Sequence, residues 1–315
     1  MLTACKKYLT NNVNKSIVLV IIFLAISPFI IPKSIAMDIL IFGLLAMSYG
    51  IIQGHIGQVS FGHAALFGTG AYVTGLLLYY VDIPSSAAWI FFPAGVVGAV
   101  IVALGMGALS LRRRGAYFAL TNLALLQLIY FIVLQVKGLT GGDDGKWGIP
   151  APTFGSTPVT PESLYYLYFV IFLVCLFLMK RMFLDSPNAL VLHAIKQDEA
   201  RAESLGYSVY REMLKAYALS GAFAGVAGAM YAIQMQYVGM SYLHWSLNGT
   251  VIIMAMLGGV NVFIGPFLGA AILIALKDVI SMYTVHWQLI VGILVMVVIL
   301  GLREGILGRF KSLRF

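Results

Sequence analysis

Runs of about twenty apolar residues, almost free of charge, recur along nearly the whole of this 315-residue chain. A helix rises about 1.5 Å per residue, so about 20 residues cross a hydrocarbon layer roughly 30 Å thick. Composition points the same way. The chain is 61% hydrophobic and 10% charged, whereas soluble domains carry about 25% charged residues. A water-soluble globular fold is excluded, and the expected class is all-α: a polytopic membrane helical bundle forming one domain over residues 1–315.

Full or nearly full spans are expected at Ser16 to Pro32, Ala36 to Gln53, Ala64 to Val81, Ala87 to Leu111, Ala116 to Val136, Ser163 to Leu184, Ala216 to Val238 and His286 to Leu302. These are about eight full spans, joined by broken or re-entrant half-helices between Trp245 and Ile280. There Gly258-Gly259 and Gly265-Pro266 interrupt an otherwise continuous apolar stretch. Lys6, Lys7 and Lys15 ahead of the first run, with Ser34-Ile35-Ala36 behind it, resemble a cleavable signal peptide. The run is long for that role and opens a series of further spans, so a retained first helix is expected.

Cytoplasmic loops carry the excess of Lys and Arg. Of the 20 such residues, all but Lys33, Lys137, Lys146 and Lys277 fall on one side, which predicts that both termini are cytoplasmic. That holds if the glycine-broken stretch enters and leaves from the outer face. Trp89, Trp147, Trp245 and Trp287 fall at the predicted outer ends or loops, where an amphipathic indole prefers the headgroup layer. The net charge of +8 is therefore read as topology rather than as a nucleic-acid surface.

Several chemistries lack their residues. Every Asp and Glu falls in a loop or at a span end, so no mid-membrane carboxylate offers a proton relay. The Gly145-Lys146 pair is followed by Trp147 rather than Ser or Thr, so it is no phosphate loop, and the chain is not expected to hydrolyse ATP. Cys5 and Cys175 alone imply neither a disulfide framework nor a metal cluster. No catalytic residue, metal or cofactor is expected.

One large polar segment interrupts the apolar runs, from Asp185 to Lys215. From Asn188 to Val209 the apolar residues Val191, Ala194, Ile195, Ala202 and Leu205 recur near the helical period. Ser186-Pro187 is a start signal and Gly206 a stop. Glu199 and Glu203 are like charges four apart, a mildly unfavourable pair that a basic partner surface would relieve. Periodicity and charge alone favour a solvated amphipathic connector.

Polar residues also occur at membrane depth. Gln53, His55, Gln58, Ser60 and His63 lie among Gly54, Gly57 and Gly62, and Asn122, Gln127, Asn248 and Asn261 form a second group. From these, Gln58, Ser60, His63, Asn122, Gln127 and Asn261 are candidates for lining a translocation path. Helix-to-helix hydrogen bonding is the competing reading for each. The Gly54 to Gly75 and Gly258 to Gly269 stretches share a glycine-rich break before a small-residue helix, the pattern of an internal repeat. Gly221-Ala-Phe-Ala-Gly225 and Gly265-Pro-Phe-Leu-Gly269 fit close helix packing.

Five segments carry a family resemblance, in order along the chain. They are Gly57-Gln-Val-Ser-Phe-Gly-His-Ala-Ala-Leu-Phe-Gly-Thr-Gly-Ala-Tyr72, Arg114-Gly-Ala-Tyr-Phe-Ala-Leu-Thr121, Thr140-Gly-Gly-Asp-Asp-Gly-Lys-Trp-Gly-Ile-Pro150, the His193 to Tyr231 region, and Leu257-Gly-Gly-Val-Asn-Val-Phe-Ile-Gly-Pro-Phe-Leu-Gly-Ala270. Together they resemble the branched-chain amino-acid permeases of ATP-driven importers, M-type, and depart from that pattern at Asp143-Asp144. The resemblance implies that residues 185–215 are a cytoplasmic coupling loop, with Asp198, Glu199, Ala202 and Gly206 the candidate ATPase-coupling residues. It also implies a sister permease subunit, two ATP-binding subunits, a periplasmic or extracellular solute-binding protein and a bacterial cytoplasmic (inner) membrane. Branched-chain amino acids are the implied substrate, urea or short amides the alternative, and a channel a more distant one.

Overall fold

The computed structural model describes residues 17–28, 30–81, 88–153, 160–301 and 305–307. Cys5, Lys6, Lys7, Lys15, Asp82, Arg303, Glu304, Arg309, Lys311 and Arg314 lie outside the described residues.

The chain is helical almost throughout. Its helices are α1 (Ile17–Pro28), α2 (Lys33–Ile51), α3 (His63–Tyr80), α4 (Phe91–Ser110), α5 (Ala116–Gln135), the single turn α6 (Lys137–Thr140), α7 (Pro161–Phe183), α8 (Pro187–Gln197), α9 (Glu199–Ser204), α10 (Val209–Met235), α11 (Trp245–Gly258), α12 (Gly265–Tyr283) and α13 (Trp287–Gly301). A two-residue ribbon, β1 (Lys146–Trp147) antiparallel to β2 (Tyr237–Val238), pairs Lys146 with Val238 and Trp147 with Tyr237. Six segments are long and apolar enough to cross a membrane: Lys33–Ile56, Ala88–Ser110, Ala116–Gln135, Pro161–Phe183, Val209–Met235 and Gly265–Tyr283. Ile17–Pro28, Trp245–Gly258 and Trp287–Val297 are shorter apolar helices.

Two spans are only partly helical. The π-helical turn Ile52–Ile56 ends α2, Gly57 turns the chain at φ +78°, and non-helical residues lead to α3 at His63. Likewise β2 and a 3₁₀ turn, Met240–Leu243, carry the chain inward before α11 begins at Trp245. Trp245 therefore opens a helix beyond the ribbon instead of sitting at a span's outer end. Leu243, two residues before it, lies against Gly68 of α3.

Small residues set the core. A methyl group added at Gly221 or Gly225 of α10 would overlap Ala103 or Ala99 of α4, and one at Gly228 would overlap the Phe67 carbonyl of α3. Close backbone approach is how membrane helices gain dispersion energy where lipid supplies no hydrophobic drive. The same device joins α11 to α12, where Gly258 meets the Gly265 carbonyl and Gly269 meets the Met254 carbonyl. Tyr168 of α7 donates to Met230 O of α10 at 2.6 Å, and Tyr165 donates to Leu24 O of α1 at 2.6 Å. Lys33 and Glu162 pair where α2 and α7 begin. The polar loop closes the end of the bundle reached by α2 and α7 and left by α10, called here the loop end.

Candidate functional site: the polar loop and the breaks it covers

The loop is two helices rather than one. Ser186 accepts from Asn188 N at 3.2 Å, Pro187 occupies the first turn, and α8 runs to Gln197. Asp198 is extended, at φ −158°, and its carboxylate accepts from Arg201 N at 3.0 Å, opening α9. The continuous periodicity from Asn188 to Val209 is thus divided because Asp is a strong N-cap and a poor helix interior residue. Beyond α9, Tyr207 N bonds Ala202 O at 3.2 Å and Gly206 N bonds Glu203 O at 2.9 Å, with Gly206 at φ +89°. This is a Schellman stop, where glycine is favoured because a Cβ disfavours left-handed backbone.

The four candidate coupling residues occupy different environments. Asp198 is exposed and caps α9. Glu199 pairs with Arg114 Nε at 2.7 Å, and Arg114 also donates to Leu111 O at 2.6 Å. Ala202 is buried under α9, with 2% of its surface accessible. Gly206 faces open space, with no atom within 4 Å of where a Cβ would stand. Glu199 is therefore committed to the α4–α5 connection, and of the two like charges the exposed Glu203 faces outward.

Inside the bundle, most polar candidates are committed to neighbouring backbone or side chains. Ser220 Oγ donates to Ser48 O at 2.7 Å and so must accept from His63 Nε2 at 2.9 Å, since a hydroxyl has one proton. His63 Nδ1 lies 3.2 Å from Ser60 Oγ, within hydrogen-bond distance, and Ser60 Oγ receives Gly62 N at 3.2 Å. This wiring ties the unwound segment before α3 to α10 and α2 through the His63 ring. Asn122 accepts from Tyr217 Oη at 2.6 Å and donates to Phe118 O at 3.0 Å. Asn248 accepts from Ala64 N at 2.8 Å and donates to Phe61 O at 2.6 Å, clamping the point where the chain enters α3. Gln58 Oε1 receives Gly115 N at 2.9 Å at the start of α5.

The other two path candidates lie elsewhere. Asn261 is the exposed residue of an otherwise largely buried turn between α11 and α12, where its Oδ1 accepts from Lys196 at 3.1 Å. Gln127 is half-buried on α5 with no hydrogen-bond partner among the described residues. α5 is the least enclosed of the six long spans, with 17% of its apolar window buried. Beside it, Tyr130 lies 6.0 Å from His244, the residue before α11. His244 Nδ1 receives Ser246 N at 3.3 Å, and Ser246 is exposed. The α5–α11 side thus presents Gln127, His244 and Ser246 together. The sequence reading missed His244 and Ser246 because their placement depends on the non-helical descent from β2.

At the end opposite the loop, the Thr140 to Gly145 motif forms a tight turn against the ribbon. Gly141, Gly142 and Gly145 have positive φ, and a Cβ at Gly145 would overlap the Val238 carbonyl. Asp143 and Asp144 are exposed. Lys146 Nζ lies 5.2 Å from the Tyr79 ring centroid and 5.5 Å from that of Tyr80, and Trp147 packs on Tyr237 at 4.0 Å.

Broken spans, a committed polar spine and one structured polar loop define the membrane subunit of a transporter. Residues 31–300 match the family of branched-chain amino acid transport system permease components. The chain belongs to that family and is the M-type permease component of an ABC importer. The high-affinity branched-chain amino acid transport system permease protein LivM of Salmonella typhimurium is 26% identical, the match covering 89% of this chain and 71% of that protein. Escherichia coli LivM is 25% identical over the same shares. LivH of Salmonella typhimurium is 24% identical over 85% of this chain and 91% of its own length. No solved structure gave a significant match.

Proposed function

We propose that this subunit imports branched-chain amino acids together with a sister permease, two ATP-binding subunits that hydrolyse ATP, and a solute-binding protein on the outer face. The loop end faces the cytoplasm of a bacterial inner membrane, in keeping with its excess of Lys and Arg. Residues 185–215 receive the ATPase, and the exposed Glu203 with the cap at Asp198 and the stop at Gly206 form the docking edge. Glu199 and Ala202 shape that edge from beneath.

The observation that carries the assignment of the path is the polarity of the α5–α11 side, where Gln127 has no hydrogen-bond partner among the described residues and the His244 and Ser246 side chains bond each other at 2.8 Å rather than a neighbouring helix. Lipid cannot satisfy Gln127, His244 and Ser246, and polar groups at membrane depth face protein or a water-filled route. The path therefore runs along this side, shared with the sister permease. His63, Ser60, Asn122 and Gln58 hold the walls.

The test is uptake of labelled leucine by proteoliposomes containing both permeases, the ATPases and the binding protein. Uptake requiring ATP and the binding protein, with valine and isoleucine competing, is the expected result. Competition by urea or short amides instead would reassign the substrate, and flux through this chain alone would overturn the importer mechanism.

A further inference from the structure

Lys196, in the last turn of α8, leaves the loop and enters the bundle. Its Nζ donates to the Gly54 carbonyl at 2.7 Å and to Asn261 Oδ1 at 3.1 Å. Gly54 belongs to the π-helical turn that ends α2, and Asn261 to the turn between α11 and α12. One ammonium group thus bonds both glycine-rich turns, the two breaks that resemble each other in sequence. Its stem crosses Gly57, where a Cβ would stand 3.0 Å from Lys196 Cγ and where φ is +78°.

The chemistry at each contact favours a cation. The last carbonyls of a helix have no partner within it and form the negative end of its dipole. Gly57 turns the chain away after the π-helical turn, and Lys196 bonds one of the carbonyls it leaves. Burial lowers the Lys196 pKa, so these acceptors offset part of the cost of holding the charge. Leu192 and Ile195 of α8 are buried against the bundle, so a displacement of α8 carries Lys196 with it.

We infer that Lys196 is the positioning residue through which movement of the 185–215 loop is passed to both broken hairpins at once. The inference rests on the proposed role of that loop in receiving the ATPase. It assigns to Asn261 the role of acceptor for this contact in place of a path lining.

The test uses the full complex in proteoliposomes, with three readouts: retention of the ATPase subunits, ATP hydrolysis with and without loaded binding protein, and solute taken up per ATP. Lys196→Met keeps most of the stem and removes the ammonium. This variant is expected to retain the ATPase subunits and to hydrolyse ATP, while uptake per ATP falls at least about tenfold, because both charge-assisted hydrogen bonds of the ammonium are lost. Lys196→Arg restores part of the coupling, and Asn261→Ala gives a smaller loss in the same direction. Wild-type uptake per ATP in Lys196→Met overturns the inference. So does loss of the ATPase subunits together with hydrolysis, which would make Lys196 only a fastening for the loop. If wild type shows no ATP-dependent uptake, the importer reading itself fails. In that case spin labels at Gln197 and Val260 still decide about Lys196, because a nucleotide-driven distance change in wild type that persists in Lys196→Met overturns the inference.

Discussion

At the scale of single residues, side chains that look functional in a membrane sequence are mostly engaged in holding backbone. His63 is the clearest case, since both ring nitrogens have partners and the chain of bonds ends on the Ser48 carbonyl. His63→Ala would leave Ser60 and Ser220 without that partner in a fully buried site. It should destabilise the fold by about 1–3 kcal/mol, read as a lower melting midpoint of the purified protein. Ser60→Ala, which removes one end of the relay, should cost less. Gly206→Ala tests a different effect. Open space surrounds the position, so the penalty is conformational strain alone, about 1 kcal/mol, seen as faster proteolysis within 199–208. His193 gives a pH test outside the spans: burial, then the nearby Lys196 charge, lowers its pKa. Its folded form therefore binds a proton less readily than its unfolded form. Its contribution is fully present above about pH 6.5 and is lost as pH falls through its lowered folded value. Titration of an isotope-labelled His193 ring should give a midpoint below 6.5, and His193→Asn should remove that part of the acid sensitivity.

Elements tell a second story, in which caps and close approach decide what periodicity leaves open. The break at Asp198 lets α9 turn separately from α8, and the Arg114–Glu199 pair fastens it to the connection between α4 and α5. Both partners of that pair are about one-third exposed, so its contribution is at most about 1 kcal/mol. Its consequence is positional. Glu199→Arg should lower ATP-driven uptake while the protein still folds, and combining it with Arg114→Glu should recover much of the loss. Failure of the double exchange to recover uptake would place Glu199 in direct contact with the ATPase. Helix packing makes the complementary prediction. Gly225→Leu would force α10 away from α4, whose Ala99 already fills the approach, and should reduce the folded yield severely. Gly249→Ala, at a position with open space, should be tolerated.

For the molecule as a whole, the apolar runs alone determined the class. A bilayer admits backbone only as satisfied structure, and α4, α5 and α7 lie close to where their sequences place them, because length and hydropathy are local properties, whereas α10 begins at Val209, seven residues before the expected Ala216, because its first two turns carry the polar residues of the loop. The start of α8 at Ser186-Pro187, the stop at Gly206 and the loop as a separate polar element were also legible, since their signals are carried by adjacent residues. The end of α8 at Gln197 was not, because a capping Asp interrupts an apolar period that continues on either side of it. The partners of polar groups were decided only by tertiary structure. Asn248 and Ala64 meet across 184 positions, His63 and Ser220 across 157, and Lys196 and Gly54 across 142. Composition names a buried amide or imidazole as costly without saying which distant carbonyl relieves the cost. For that reason the sequence could offer Gln58, Ser60, His63, Asn122, Gln127 and Asn261 as equals. Packing then satisfied most of them within the bundle, left Gln127 on its least enclosed side, and brought Lys196 from the loop onto both glycine-rich turns.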